Sequence, residues 1–264
     1  MASLKVDGHV GAVFRLLLIF LVAGSTLSAS GTLRIAAASN LVFAVETLAN
    51  AFREVTPELK VEVVTGASGN LVAQITHGAP YDVFMSADLA YPQALVATGQ
   101  ADAASLTPFA TGRLVLWTTR SDLPMTDLGA VLHDARVRKI AIANIDTAPY
   151  GRAARQTLEK LGRWTALQSQ LVIGENISQT AQFVASGNAD AGFVALSLVM
   201  APEHEANGSW LVVPDELHSP LTQGAVLTKH GTTNPAALVF LKFLGSEDAR
   251  KIFARHGYGM PPSP

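Results

Sequence analysis

The chain has 264 residues, 49% of them hydrophobic and 15% charged, with a formal net charge of −2 at neutral pH. That is enough apolar material for one large domain or two small ones and too little charge for a nucleic-acid surface; the short basic run Arg136-Val137-Arg138-Lys139 suits a solvated helix end. The absence of cysteine excludes disulfide staples and thiolate metal sites, so the core alone must hold the fold.

Lys5 and Arg15 precede an apolar run from Leu16 to Val22, and small residues follow from Ala23 to Gly31. This is the layout of a secretory leader, residues 1–30, with cleavage near Ser28-Ala29-Ser30. Its apolar run is about half the ~20 residues a spanning helix needs, and no second run follows, so no membrane insertion of the mature chain is expected. A diacyl anchor needs a cysteine at the cleavage site, so the mature protein is expected free in the periplasm or outside the cell.

From Gly31 onward short apolar strands alternate with amphipathic helices, the pattern of α/β layers with mostly parallel strands. A strand over Leu33 to Ala37 leads to a helix whose apolar face is Leu41, Val45, Leu48, Phe52 and Val55, ended by Pro57. Val61 to Val64 is a strand, and the turn Gly66-Ala67-Ser68-Gly69-Asn70 opens a helix that stops at His77-Gly78. A buried strand within Pro80 to Asp88 and a helix from Tyr91 to Ala97 come next. The alternation restarts with strands at Leu114–Thr119, Ile140–Ala143, Leu171–Ile173, Ala191–Ala195 and Trp210–Pro214, and helices at Arg152–Leu161 and Gln179–Ala185. Gly224 to Thr228 carries the chain back, and two helices capped by Asn234-Pro235 and Ser246 complete it. On this reading residues 31–114 plus 226–264 form domain I and residues 115–225 form domain II, with two crossover strands as hinges and no repeat or low-complexity tract.

Four loops share one character. Ala36-Ala37-Ala38-Ser39-Asn40-Leu41, the Ser68 turn, Ile145 to Gly151 and Gly174 to Ser178 each lie between a strand's C-terminal end and a helix's N-terminus, where open α/β sheets bind ligands. Helix N-termini offer backbone N–H groups and partial positive charge, so four of them around one cleft suggest an anion site. The ordinary use of Ser39 and Ser68 is as helix N-caps, and that of Asp146 and Glu175 as first-turn carboxylates.

These motifs carry a resemblance. Ala36 to Ser39, Gly66-Ala67-Ser68-Gly69, Gly78-Ala79-Pro80-Tyr81-Asp82-Val83-Phe84-Met85-Ser86-Ala87-Asp88, Ala148-Pro149-Tyr150-Gly151 and the ending Phe253-Ala254-Arg255-His256-Gly257-Tyr258 are similar, in order, to the periplasmic molybdate-binding proteins of ABC importers. The resemblance implies a two-domain periplasmic binding protein of the class II type, each domain a mostly parallel sheet flanked by helices with a two-strand hinge. It implies a monomer that captures molybdate or tungstate and delivers it to a membrane permease, with no cofactor, no catalysis and no metal held directly by side chains. It implies that the oxyanion is held by hydroxyls and amides of Ser39 and Ser68 and by backbone N–H groups of Tyr150 and Ile177. Family members often carry a tyrosine where this chain has Ala195, leaving Ser197, the Tyr150 hydroxyl or water to replace that donor.

Lys and Arg are absent from the apex of all four turns, so the charge would be met by oriented dipoles, which suits a fully deprotonated dianion. Two alternatives stand beside this reading: a binding protein for sulfate or another anion, and a secreted hydrolase using Ser68. For the latter, Gly66-Ala67-Ser68-Gly69-Asn70 begins like a nucleophile elbow but has Asn70 where the second glycine belongs. His77, His133, His204, His218, His230 and His256 sit in no catalytic motif, and Pro202-Glu203-His204-Glu205 lacks the paired-histidine spacing of a zinc protease.

Overall fold

The computed structural model describes residues 31–201, 204 and 207–261; residues 1–30, the expected leader, lie outside them. The first half runs β1 (Gly31–Ala38), α1 (Val42–Val55), β2 (Leu59–Gly66), α2 (Ser68–Thr76), β3 (Val83–Ser86), α3 (Ala90–Ala97) and β4 (Thr107–Thr111). The second half runs β5 (Leu114–Thr118), α4 (Leu128–His133), β6 (Ile140–Ala143), α5 (Pro149–Lys160), α6 (Trp164–Leu167), β7 (Leu171–Gly174), α7 (Ile177–Ala185), β8 (Ala191–Ala195), α8 (Leu196–Val199) and β9 (Ser209–Val212). The chain then returns through β10 (Thr222–Leu227), α9 (Pro235–Leu244) and α10 (Glu247–Arg255).

Two five-stranded sheets result, ordered β2-β1-β3-β10-β4 and β7-β6-β8-β5-β9. In each, three strands joined by crossover helices are parallel, and the two that carry the chain between the halves are antiparallel. The expected α/β architecture is therefore observed, with antiparallel pairing confined to the strands that cross between the halves. Both halves repeat one path, from a central strand outward and then back across it, so each has its own reversal of strand order. The loops after β1, β2 and β3 and after β6, β7 and β8 emerge at those reversals, the crevice where open sheets hold ligands.

Central strands are apolar because helices cover both faces: Leu33, Ile35, Ala36 and Ala37 of β1 are completely buried, as are all four residues of β6. Helix α1 lays Val45, Leu48 and Phe52 on the first sheet, and the Phe52 ring meets Phe240 of α9 edge-on at 5.2 Å. Phe109 of β4 stacks on Phe253 of α10 at 5.0 Å, so the returning helices seal the first half. One contiguous cluster of buried side chains runs through both sheets, including Ala67 and Ala87 from one half and Ala148 and Ile177 from the other.

The structure corrects several expectations. Strand β4 was not anticipated, because Pro108 weakens its strand pattern; as an edge strand it tolerates a proline that a central one would not. Helix α4 was missed as well, although Asp127 caps it by accepting from Ala130 N. Helices α5 and α7 begin at Pro149 and Ile177 rather than Arg152 and Gln179, which puts Tyr150 and Ile177 in helical first turns instead of loops. Ser39 opens a short 3-10 turn, Ser39–Leu41, before α1.

Candidate functional site

The segments that follow β1, β2, β3, β6 and β7 line one small cavity of about 10 Å³. That is about the space of one water molecule, far below the ~300–1,000 Å³ of an organic ligand pocket. All four predicted residues line it: Ser39 and Ser68 from the first half, Tyr150 and Ile177 from the second. Asn40 and Ala87, which were not predicted, line it too. No charged side chain is among the lining residues.

The local sequence decides which backbone N–H groups at these turns are left without a capping partner, since the first turn of any helix has donors without intrahelical partners. In α2 the N-cap is Ala67, which has no side-chain oxygen, so Ser68 at the first helical position keeps its first-turn donor uncapped. In α5 the N-cap is Ala148 and Pro149 follows with no N–H, so Tyr150 carries the first donor of that helix. In α7 the Asn176 side chain accepts from Ser178 N at 3.0 Å and Gln179 N at 3.1 Å, leaving the Ile177 N–H as the one it does not take. The turn at Ser39 follows Ala38 and likewise has no side-chain cap.

Neither serine is an N-cap, so their ordinary explanation fails. Fully buried Ser68 accepts from Ala87 N at 3.2 Å through its Oγ, tying the end of β3 to α2 and leaving its own hydroxyl proton free for another acceptor. The carbonyl oxygens on the same loops, which would repel an anion, are engaged from the opposite half. Ser178 Oγ donates to Ser39 O and Ser197 Oγ to Asn40 O, each at 2.9 Å. Ser197 is therefore committed to a carbonyl.

Beneath the cavity lies a buried polar cluster. Asn40 Nδ2 donates to Gln223 Oε1 at 3.0 Å and to Tyr258 Oη at 2.9 Å, and Tyr258 Oη donates to Asn40 O at 2.7 Å. Asn40 Oδ1 and the Tyr150 hydroxyl are buried without a hydrogen bond of good geometry. Burial raises the Tyr150 pKa well above the usual phenol value, reinforced by Tyr258 and offset in part by the Gln223 amide, so the phenol stays protonated. Ala195 is buried at the end of β8 and is not among the lining residues.

The remaining candidates fall away from the cavity. Asp146 and Glu175 do not line it, and no histidine does. His230 pairs with buried Asp82 at 3.0 Å, and His256 Nε2 lies 3.1 Å from Thr47 Oγ1. Of the Pro202 to Glu205 stretch only His204 is described, against the Trp117 ring at 5.3 Å; among the described residues no three side chains could hold a metal, and no helix is long and apolar enough to cross a membrane.

Comparison with known proteins places the chain in a family. Residues 33–259 match the family model described as bacterial extracellular solute-binding protein. The chain is 40% identical to the molybdate-binding protein ModA of Azotobacter vinelandii over 227 residues, covering 86% of this chain and 89% of that one. It is 40% identical to the ModA of Rhodobacter capsulatus over 231 residues, 88% and 89% of the two chains. The solved Azotobacter vinelandii periplasmic molybdate-binding protein superposes with a TM-score of 0.82 at 36% identity, covering 87% of this chain and all of that one. The chain belongs to the bacterial extracellular solute-binding proteins, in the ModA family, whose members bind solutes for transport and are not enzymes.

Proposed function

We propose, with that family membership as premise, that this chain captures molybdate or tungstate in the cavity between its halves and delivers it to the membrane permease of an ABC importer. It acts as a monomer in the periplasm after loss of residues 1–30, with 31–113 plus 222–264 and 114–221 as its two domains, bounds that keep β5 and β10 whole, each in its own sheet. The observation that carries the reading is the convergence of four uncapped or partly capped helix starts on one cavity with no cation. Ser39 and Ser68 supply hydroxyl and amide donors, and Tyr150 and Ile177 supply N–H groups. Backbone donors and helix dipoles then meet the dianion without a counter-charge. Each half holds part of the shell, so only the closed form satisfies the ligand, and binding favours closure.

A donor shell rejects an oxyanion that brings its own proton, because donor against donor leaves a buried group unsatisfied at a cost of about 1–3 kcal/mol. One observation favours a second reading: Asn40 Oδ1 is a buried acceptor without a partner, and it could take the proton of hydrogen phosphate. A thermal-shift and calorimetric panel of molybdate, tungstate, sulfate, phosphate and chromate separates these. Molybdate and tungstate are expected to raise the melting temperature in a concentration-dependent way, and sulfate and phosphate are not. Equal stabilisation by sulfate, or none by any oxyanion, rejects the proposal.

Closure can be tested without touching a donor. A Cβ on Gly69 would lie 2.6 Å from Tyr91 Oη and 3.0 Å from the Thr147 backbone of the other half. Gly69→Ala is therefore expected to weaken molybdate binding by about tenfold through a cost of ~1–2 kcal/mol to the closed form. Its anion-free melting temperature should fall only slightly, since alanine suits a helical first turn and Tyr91 Oη, of the same half, is the far end of a side chain that can move. Unchanged affinity by calorimetry would mean that binding does not need this contact.

A further inference from the structure

Outside the donor shell, a second set of contacts joins the halves at the mouth of the cleft. Arg152, two residues after Tyr150 in α5, forms an ion pair with Asp88, which follows the Ser86-Ala87 end of β3. The same guanidinium donates to Tyr91 Oη at 3.1 Å and lies over the Tyr91 ring at 5.0 Å. Tyr91 Oη in turn donates to Asp146 O at 3.0 Å, and beside it Gly69 N donates to Thr147 O at 2.9 Å. Two side chains of the first half thus grip one arginine and one carbonyl of the second, and a backbone N–H holds a second carbonyl.

Three features set this apart from a casual surface pair. Asp88 is only 14% exposed, and its own half holds it in place: Oδ1 accepts from Tyr91 N at 3.2 Å and from Ser86 Oγ at 3.3 Å, leaving Oδ2 aimed across the cleft. The contact is charge-assisted and combined with a cation–π stack, which a lysine cannot reproduce in the same fork geometry. It also involves none of the cavity-lining residues, so none of its hydrogen bonds is made to the anion.

We infer that Asp88, Tyr91 and Arg152 form a latch that holds the closed state and sets how long a captured oxyanion stays. They are positioning residues: they act on the lifetime of closure and do not touch the ligand. This rests on the proposed binding function, so its test has an arm that does not. Arg152→Gln and Asp88→Asn should each speed molybdate dissociation by about three- to tenfold, with association changed less than twofold, in stopped-flow mixing. Arg152→Lys should fall between wild type and Arg152→Gln, and the double variant should release no faster than the worse single one, as expected of one shared contact.

The cysteine-free sequence allows clean spin labelling at Glu58→Cys and Gln168→Cys, both exposed and one in each half. In the anion-free protein, Arg152→Gln should shift the interlabel distances toward a wider separation. Dissociation at the wild-type rate together with unchanged distances would overturn the latch. A wild-type protein that molybdate neither binds nor closes would instead remove the proposed function, and the anion-free distances would still report on the latch.

Discussion

Replacing Ile177 by proline is expected to weaken molybdate binding by about 10- to 100-fold while helix α7 persists, the loss of one hydrogen bond to a charged group at ~1.5–3 kcal/mol. Proline is well suited to the first helical position, and Asn176 before it is already extended at φ −147° and ψ 175°, the region a pre-proline residue prefers. Asn176 would still cap Ser178 and Gln179, so the helix keeps its start and loses only the N–H of residue 177. Because Ile177 is 3% exposed, the lost side chain should also lower stability by about 1–2 kcal/mol. Ile177→Val separates the two effects: it trims the same side chain, keeps the N–H, and should bind as the wild type does. Equal affinity of the proline and valine variants by calorimetry would exclude the residue 177 amide as a donor.

Ser68→Ala is expected to reduce molybdate affinity by about 10- to 100-fold, again ~1.5–3 kcal/mol for a hydrogen bond to a charged group. The hydroxyl accepts from Ala87 N and has its proton left for the ligand, so alanine removes a donor and orphans the Ala87 N–H together. The second loss acts on the anion-free protein as well and should appear as a modest fall in melting temperature. Ser39→Ala has no cap hydrogen bond to lose, so it should cut affinity with no such fall. Wild-type affinity in both variants, measured by isothermal titration, would remove these serines from the donor shell.

Much of the fold was legible because its signals are local. Leu41, Val45, Leu48 and Phe52 of the expected stripe, the Asn234-Pro235 start and the Ser246 cap of α10 all stand where their chemistry puts them, while Val55, at the end of α1, is exposed instead of buried. Strand β4 was hidden by Pro108, whose penalty depends on whether a strand lies at a sheet edge, a fact its own residues do not carry. Site residues were less legible. Taken alone, Ser68 reads as an N-cap, and only its bond to Ala87, nineteen residues on, shows another use. Asn40 gave no signal, since it is fixed by Gln223 and Tyr258, 183 and 218 residues away. Tyr150 and Ile177 enter through family resemblance, because the role proposed for them, a backbone donor, leaves no mark in side-chain chemistry.

The sequence by itself determined an α/β chain built in two similar halves, without cysteine, with donor-bearing turns at the strand ends, because periodicity and capping act over a few residues. Tertiary structure alone decided that four of those turns meet around one cavity and that Arg152 reaches Asp88 between the two halves. Those contacts join residues dozens to hundreds of positions apart, so their geometry follows from how the two sheets pack and not from any local pattern.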